Sequence, residues 1–304
     1  MKQRRTTRTA LIVLALSLAL PVLLPAAGQA TKSTSPSKKL QVKVKVPKAS
    51  GRVLYGTDNQ GDLVTFRERG SQRLQSKRRI VGLPGGVRLV GIDFRPKTGE
   101  LFGVGTDSVT YRIVLADTNA RALPVASFAG PGTTLAGAVF GVDFNPVPDR
   151  IRVVSDADQN LRLDPSGVVA PAADMALNPG NPTVVGAAYT NSSFSFTQPA
   201  ATTLYVIDAA TDTLNVQSPP NNGTLTMPLP LGIDVGNEVG FDIVGANTAY
   251  LTNAGSRGTT LYRVNLTTGQ ATKLGDVGIV GKLNRKGVFK KAKTTITGLA
   301  AVQD

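Results

Sequence analysis

Three aspartates carry the most suggestive chemistry in this sequence. Asp93, Asp143 and Asp242 each stand two residues after a glycine, in Gly91-Ile92-Asp93, Gly141-Val142-Asp143 and Gly240-Phe241-Asp242. Alternation along a strand puts each carboxylate on the face opposite Ile92, Val142 and Phe241. Gathered around one axis, the three would make a partial ring of carboxylates. Such a ring can hold a cation or, as a pair, act as general acid and base on a glycoside. Catalysis would need two or three of Asp93, Asp143, Asp242 and Glu238 within about 5–10 Å of one another in an open funnel. The same spacing also suits a purely structural role, each Asp accepting backbone hydrogen bonds in an adjacent turn. Ala188 and Ala300 fill the position in two further copies, so the ring is incomplete.

A second group of polar residues lies between Asp149 and Asp164. Asp156, Asp158, Asn160 and Asp164 have the alternating oxygen ligands that open a calcium loop, and calcium is the one cofactor the sequence suggests. Leu161 and Gly167 stand where such a loop needs Gly and Glu, so a polar turn between strands fits the segment as well. Arg150 and Arg152 project from one strand face, with Asn160 and Arg162 following. They suit a cationic pocket for a carboxylate, a phosphate or a sulfated sugar. The alternative is that these arginines pair with Asp149, Asp156 and Asp164.

The composition excludes much else. With no His and no Cys, triad and thiol nucleophiles and His- or Cys-ligated metal sites are impossible. Carboxylate chemistry, hard-cation binding, or no chemistry remain. Gly278-Ile279-Val280-Gly281-Lys282 is not a phosphate loop, because Asp276 and Leu283 occupy positions that need Gly and Ser or Thr.

The elements that must position these residues are strands. Glu occurs only at Glu68, Glu100 and Glu238, and helical periodicity is absent. The segment Val90-Gly91-Ile92-Asp93-Phe94 recurs as Phe140-Gly141-Val142-Asp143-Phe144, and more weakly around Gly186, Gly240 and Gly298. The glycines recur roughly every 50 residues, with three further strand-like runs in most intervals. That pattern predicts an all-β propeller of five four-stranded blades, or six if residues 189–225 divide differently. The last copy, at Ile296–Ala301, has no strands after it, whereas the runs from Arg52 to Val81 have no copy before them. One blade is therefore expected to be closed by both ends of the chain, which would pair exposed edges.

Residues 1–30 read as a cleavable secretory signal, with Lys2, Arg4, Arg5 and Arg8 ahead of an apolar run that ends at Gly28-Gln29-Ala30. Thr6, Thr7 and Arg8 favour the general secretory route over the twin-arginine one. Residues 31–50 read as a Lys- and Ser-rich linker in which Leu40–Val46 alternates like an edge strand, and residues 51–304 as one domain. No membrane span is expected after cleavage. The formal charge of +14 is concentrated in 31–50 and 282–293, which contain Lys and Arg but no acid. These stretches suit anionic polymers or glycans of the cell envelope, or serve as a solvated tether and loop. Aromatic residues for stacking on bases are nearly absent there, so specific nucleic-acid recognition is not expected.

Several segments resemble an uncharacterised bacterial exported family, domain of unknown function 4394. They are Gly91–Pro96, Asp149–Leu163, Val184–Asn191, Pro219–Leu225 and Leu261–Gly269, and the likeness covers roughly residues 52–302. It implies an exported propeller-like protein and brings no catalytic residues with it. The expectation is a monomeric, non-enzymatic binding or scaffold module of the envelope or extracellular space. The alternative is a carbohydrate-active hydrolase or lyase working with Asp and Glu in a central channel.

Overall fold

The computed structural model describes residues 49–167, 171–278, 281–283, 289–291 and 294–303. The signal peptide, most of the linker and the Leu40–Val46 strand expected from the sequence lie outside these residues.

The described residues form strands, joined by turns and one 3-10 turn at Pro220–Asn222. In order the strands are β1 (Ser50–Asp58), β2 (Asp62–Arg69), β3 (Ser76–Val81), β4 (Leu89–Phe94), β5 (Leu101–Gly105), β6 (Val109–Leu115), β7 (Asn119–Ser127), β8 (Phe140–Asn145), β9 (Arg150–Ser155), β10 (Asn160–Leu163) and β11 (Ala172–Ala173). There follow β12 (Val184–Tyr189), β13 (Leu204–Asp208), β14 (Thr213–Gln217), β15 (Leu225–Pro230), β16 (Val239–Val244), β17 (Thr248–Gly255), β18 (Gly258–Val264), β19 (Ala271–Asp276), β20 (Gly281–Leu283), β21 (Phe289–Lys291) and β22 (Ile296–Ala301).

Three sheets are four-stranded antiparallel meanders: β8 to β11, β12 to β15 and β16 to β19. An eight-stranded sheet runs β22-β1-β2-β3-β7-β6-β5-β4 and consists of two such meanders joined where the outer strands β3 and β7 pair in parallel. The last strand, β22, pairs antiparallel with the first, β1, from Leu54↔Ala301 to Asp58↔Ile296. Both ends of the domain therefore share one meander, as the incomplete first repeat foreshadows.

Turn chemistry sets these registers. At the β1–β2 hairpin Asp58 accepts the N–H groups of Gln60 at 3.0 Å and Asp62 at 2.9 Å, and Gly61 takes the left-handed conformation the turn requires.

The first strands of the meanders, β4, β8, β12, β16 and β22, pack side by side in a closed series, with β22 against both β16 and β4. Strands β12 and β16 are buried at every residue, which is why, Asp242 apart, their sequences are apolar on both faces rather than alternating. The repeated glycines make this approach possible. A Cβ on Gly91 would lie 2.5 Å from Cβ of Val142, and one on Gly141 would lie 2.5 Å from the backbone N of Ala187. Gly186 and Gly240 face Phe241 and Leu299 in the same way, and Gly298 returns to Gly91.

The hydrophobic core is divided into clusters between successive meanders. One sets Phe102 and Val104 against Val142, Phe144, Ile151 and Leu161. Another sets Leu54, Val64 and Phe66 against Tyr250, Leu261, Ile296 and Leu299 across the junction of the chain ends.

Strands β20 and β21 form a two-stranded hairpin, Gly281↔Lys291 to Leu283↔Phe289, within a separate compact unit. Within the basic stretch 282–293 the described residues Lys282 and Leu283 pair with Lys290 and Phe289. Among the described residues no helix is long and apolar enough to cross a membrane.

Candidate functional site

The three aspartates meet. One carboxylate oxygen from each of Asp93, Asp143 and Asp242 lies within 4.8 Å of the others, and all three residues are buried. Each faces the next inner strand. Asp93 accepts the N–H groups of Phe94 at 2.7 Å and Phe144 at 2.8 Å. Asp143 accepts that of Tyr189 at 2.8 Å, and Asp242 accepts those of Ile243 and Ala301.

Phe94, Phe144, Tyr189, Ile243 and Ala301 are repeat-equivalent, each three residues after its glycine. Their N–H groups point off the free inner edge of each meander and would be buried without partners. Three carboxylates satisfy all of them, because Asp93 and Asp242 each take two. The gaps at Ala188 and Ala300 therefore leave no N–H unpaired in the series.

Concentrating carboxylates here shifts their titration. Burial, then mutual repulsion, pushes the Asp93 and Asp143 carboxyls well above the ordinary range, and the two are hydrogen-bonded to each other. Burial raises Asp242 to about 7, moderated by its backbone donors and by the Arg52 guanidinium.

The axis beside them is narrow. The space walled by the glycine segments of the inner strands measures about 10 Å³, which is no more than one water needs. Glu238 lies elsewhere, in a cleft of about 450 Å³ with Arg88, Asn237 and Thr297. The convergence expected of the aspartates is present, and each of the three carboxylates is engaged with backbone N–H groups.

The arginine segment builds a different site. Arg152 is 2 % exposed and stands in β9 opposite Asp143 in β8 and Arg162 in β10. Its guanidinium donates to Asn160 at 2.6 Å, Asp174 at 2.7 Å, Asn221 at 2.8 Å and the Tyr189 hydroxyl at 3.2 Å. Arg162 makes a two-pronged contact with the same Asp174, at 2.7 and 2.8 Å. Arg150 lies 3.6 Å from Asp164. Together with Asn145, Tyr189 and Pro219 to Asn222, these arginines line a cleft of about 420 Å³.

The pairings expected for these arginines need correction in part. Arg150 meets Asp164 as anticipated. Asp149, however, is held by Arg95 and Lys97, and the principal counter-charge of Arg152 and Arg162 is Asp174.

The residues with calcium-loop spacing are not gathered into one group of carboxylates. Asp156 accepts the N–H groups of Ala138 and Val139, and Asp164 accepts from Ser166. Asn160 is buried between Arg152, Gln217 and the carbonyls of Met175 and Pro220. Asp158 sits at a positive φ with Oδ1 buried, and burial raises its pKa. Among the described residues the cluster of carboxylates close enough to share an ion is the axial one.

Comparison with known proteins bears on the family. Residues 62–285 match the model of the family described as Domain of unknown function (DUF4394). The chain belongs to this family. No curated protein matches it in sequence. Among solved structures, this family member is similar to a protein from Lactobacillus plantarum, at 15 % identity and a TM-score of 0.39, over 83 % of this chain and 72 % of the other. It is also similar to the protein titled YCF48 bound to D1 peptide, at 14 % identity and a TM-score of 0.39, over 80 % and 87 % of the two chains. At that level of likeness the fold rests on the strand order and the closed series of inner strands.

Sequence reasoning missed one regularity that strand register exposes. In the three meanders that carry an aspartate, the residue two strands across is an arginine: Asp93↔Phe102↔Arg112, Asp143↔Arg152↔Arg162 and Asp242↔Tyr250↔Arg263. The two alanine copies lead to Val216 and Thr65 instead. Near-constant spacing of Asp and Arg along the chain is the signal that would have revealed it. The partners Glu100, Asp174 and Glu68 have no such spacing.

Proposed function

We propose that this family member is an exported, five-bladed propeller acting as a non-enzymatic binding or scaffold module in the cell envelope or extracellular space. Its blades are the three separate meanders and the two halves of the eight-stranded sheet, the last blade being completed by both chain ends. Export follows the general secretory route with cleavage after Ala30. The domain works as a monomer without a resident cofactor.

The observation that carries this reading is the work the axial carboxylates already do. Asp93, Asp143 and Asp242 are buried and engaged with backbone N–H groups, which supports a structural role for them over action on a sugar. The ligand site is the cleft lined by Arg150, Arg152 and Arg162, with Asn160 buried behind Arg152. There the buried Arg152 network holds the floor rigid, while Arg150 and Arg162 stay partly exposed at the rim. Its ligand class is an acidic or sulfated glycan of the envelope, drawn in by the basic stretches of the chain.

Calorimetric titration of the purified chain with uronic-acid and sulfated oligosaccharides tests this. Saturable binding that weakens about tenfold in Arg162→Ala is the expected outcome, since a charged hydrogen-bond donor is worth about 1.5–3 kcal/mol. New reducing ends that appear with the parent chain and disappear with Asp143→Asn would instead establish the hydrolase.

A further inference from the structure

The narrow axial space adjoins a wider cleft at one end. Neighbouring inner strands run in the same direction, because Gly91 faces Val142 and, two residues on, Asp93 reaches Phe144, in the same order along both. The pairs Gly141 with Ala187 and Asp143 with Tyr189 repeat this, as do Gly240 with Leu299 and Asp242 with Ala301. The first residues of the inner strands therefore gather at one end of the axis. The cleft there measures about 450 Å³, within the range of about 300–1,000 Å³ that small-molecule sites occupy. It shares Val90, Phe140 and Thr297 with the axial space, and these half-buried residues form its floor.

The walls are the segments that lead into three of these strands, and each is pinned from behind. Arg88, just before β4, donates its backbone N–H to Thr106 Oγ1 at 3.2 Å, and its carbonyl accepts the N–H of Thr106 at 2.9 Å. Before β8, the N–H groups of Ala138 and Val139 are held by Asp156. Before β16, Asn253 accepts the N–H of Gly236 at 3.1 Å and donates to the carbonyl of Asp234 at 2.7 Å. The Glu238 carbonyl accepts the N–H of Ala254 at 3.0 Å. A backbone fixed in this way loses little further freedom when a ligand arrives.

The side chains on these walls are uncommitted. Arg88, Asn237 and Glu238 are exposed, and among the described residues their side chains make no hydrogen bond or ion pair. The arginine cleft differs, Arg152 and Arg162 both being engaged by Asp174. Arg88 and Glu238 lead into β4 and β16, which β22 separates, so a cation and an anion line one cleft without meeting. A polyanion would be repelled by Glu238 and a polycation by Arg88. A ligand with one charge of each sign satisfies both, while Val90 and Phe140 offer it an apolar bed.

We infer that this cleft binds a small zwitterion with an apolar side chain, an amino acid or a dipeptide. The forked guanidinium of Arg88 takes the carboxylate, Glu238 takes the ammonium group, and Asn237 fills the hydrogen bonds left over. The site is separate from the arginine cleft and uses none of its residues.

The test titrates the purified full chain by calorimetry with leucine and with leucyl-leucine, which separate the two sizes of ligand. N-acetylleucine and leucinamide, each carrying one charge, are titrated beside them. Saturable binding of at least one zwitterion on the order of millimolar is expected, with both singly charged forms at least about tenfold weaker. Arg88→Ala and Glu238→Gln each lower the affinity about tenfold. Glu238→Gln loses the preference for leucine over N-acetylleucine, and Arg88→Ala the preference over leucinamide. Both side chains are exposed, so these variants keep the parent's melting temperature to within about 2 °C. Arg162→Ala leaves the binding unchanged. Absence of saturable binding by both zwitterions overturns the inference, as does equal affinity for the singly charged forms. Unchanged affinity in both Arg88→Ala and Glu238→Gln overturns it as well. Loss of binding in Arg162→Ala with Arg88→Ala unaffected also overturns it, and assigns the zwitterion to the arginine cleft.

Discussion

The carboxylate of Asp242 accepts the backbone N–H of Ala301, 59 residues further along the chain. That bond ties the fourth inner strand to the last, at the junction where the chain ends meet. Asp93 and Asp143 make the same kind of bond to Phe144 and Tyr189, so a buried acid is the fastener between successive inner strands.

The fasteners make stability depend on pH. Asp242 has a folded-state pKa of about 7, against roughly 3.9 in an unfolded chain, so between those values the folded state holds a proton the unfolded state releases. Its contribution is therefore fully present below about pH 4 and is lost as pH rises through about 7, a change of a few kcal/mol. Asp93 and Asp143, raised by burial and by repulsion from neighbouring aspartates, add to the loss in the same sense as pH rises. Asp143→Asn keeps an acceptor for Tyr189 and removes one ionisable group, so its melting temperature exceeds the parent's at alkaline pH by several degrees and matches it near pH 4. An equal difference at both pH values would show that burial and neighbouring charge do not raise the titration of this carboxylate.

Close approach of the inner strands predicts a sharp contrast between two glycines. Gly141→Ala places a methyl group 2.5 Å from the backbone N of Ala187 and costs about 3 kcal/mol or more in urea unfolding. Gly85→Ala meets nothing within 4 Å and changes stability by no more than about 0.5 kcal/mol. Similar losses for both would remove the steric account of the repeat.

Arg152 is predicted to be the most costly arginine to replace. Arg152→Met removes a fully buried guanidinium and its bonds to Asn160, Asp174, Asn221 and Tyr189, leaves Asp174 to Arg162 alone, and destabilises by about 3 kcal/mol. Arg162→Ala leaves Asp174 paired with Arg152, and its side chain is 40 % exposed, so its cost stays near 1 kcal/mol. Denaturant midpoints of the two variants decide the order.

The terminal strand should behave as a separable closure element. A chain ending at residue 295 lacks Ile296, Leu299 and Ala301 from the core and leaves β1 without its inner neighbour. It is expected to show no cooperative melting transition by calorimetry, and to regain one on addition of a peptide spanning residues 292–304. A cooperative transition in the shortened chain alone would mean that closure contributes little.

Much of the architecture was legible in the residues themselves. The glycine copies near Gly91, Gly141, Gly186, Gly240 and Gly298 marked the inner strands, because a strand wedged between two others cannot tolerate a Cβ at that point. The unmatched copy at Ile296–Ala301 announced the pairing with β1. Family membership, too, followed from segments quoted before any coordinate.

What the aspartates do was decided only by the tertiary structure. Local pattern places Asp93, Asp143 and Asp242 on one face of a strand, but the N–H groups they hold belong to strands 46 to 59 residues away, and only closure of the series brings those within reach. The same holds for Asp174 with Arg152, and for Glu68 with Arg263, which are 195 residues apart in sequence. Spacing along a chain encodes the period of a strand and the length of a repeat. Which buried charge answers which donor depends on distances across the fold, and those exist only once the first and last strands have met.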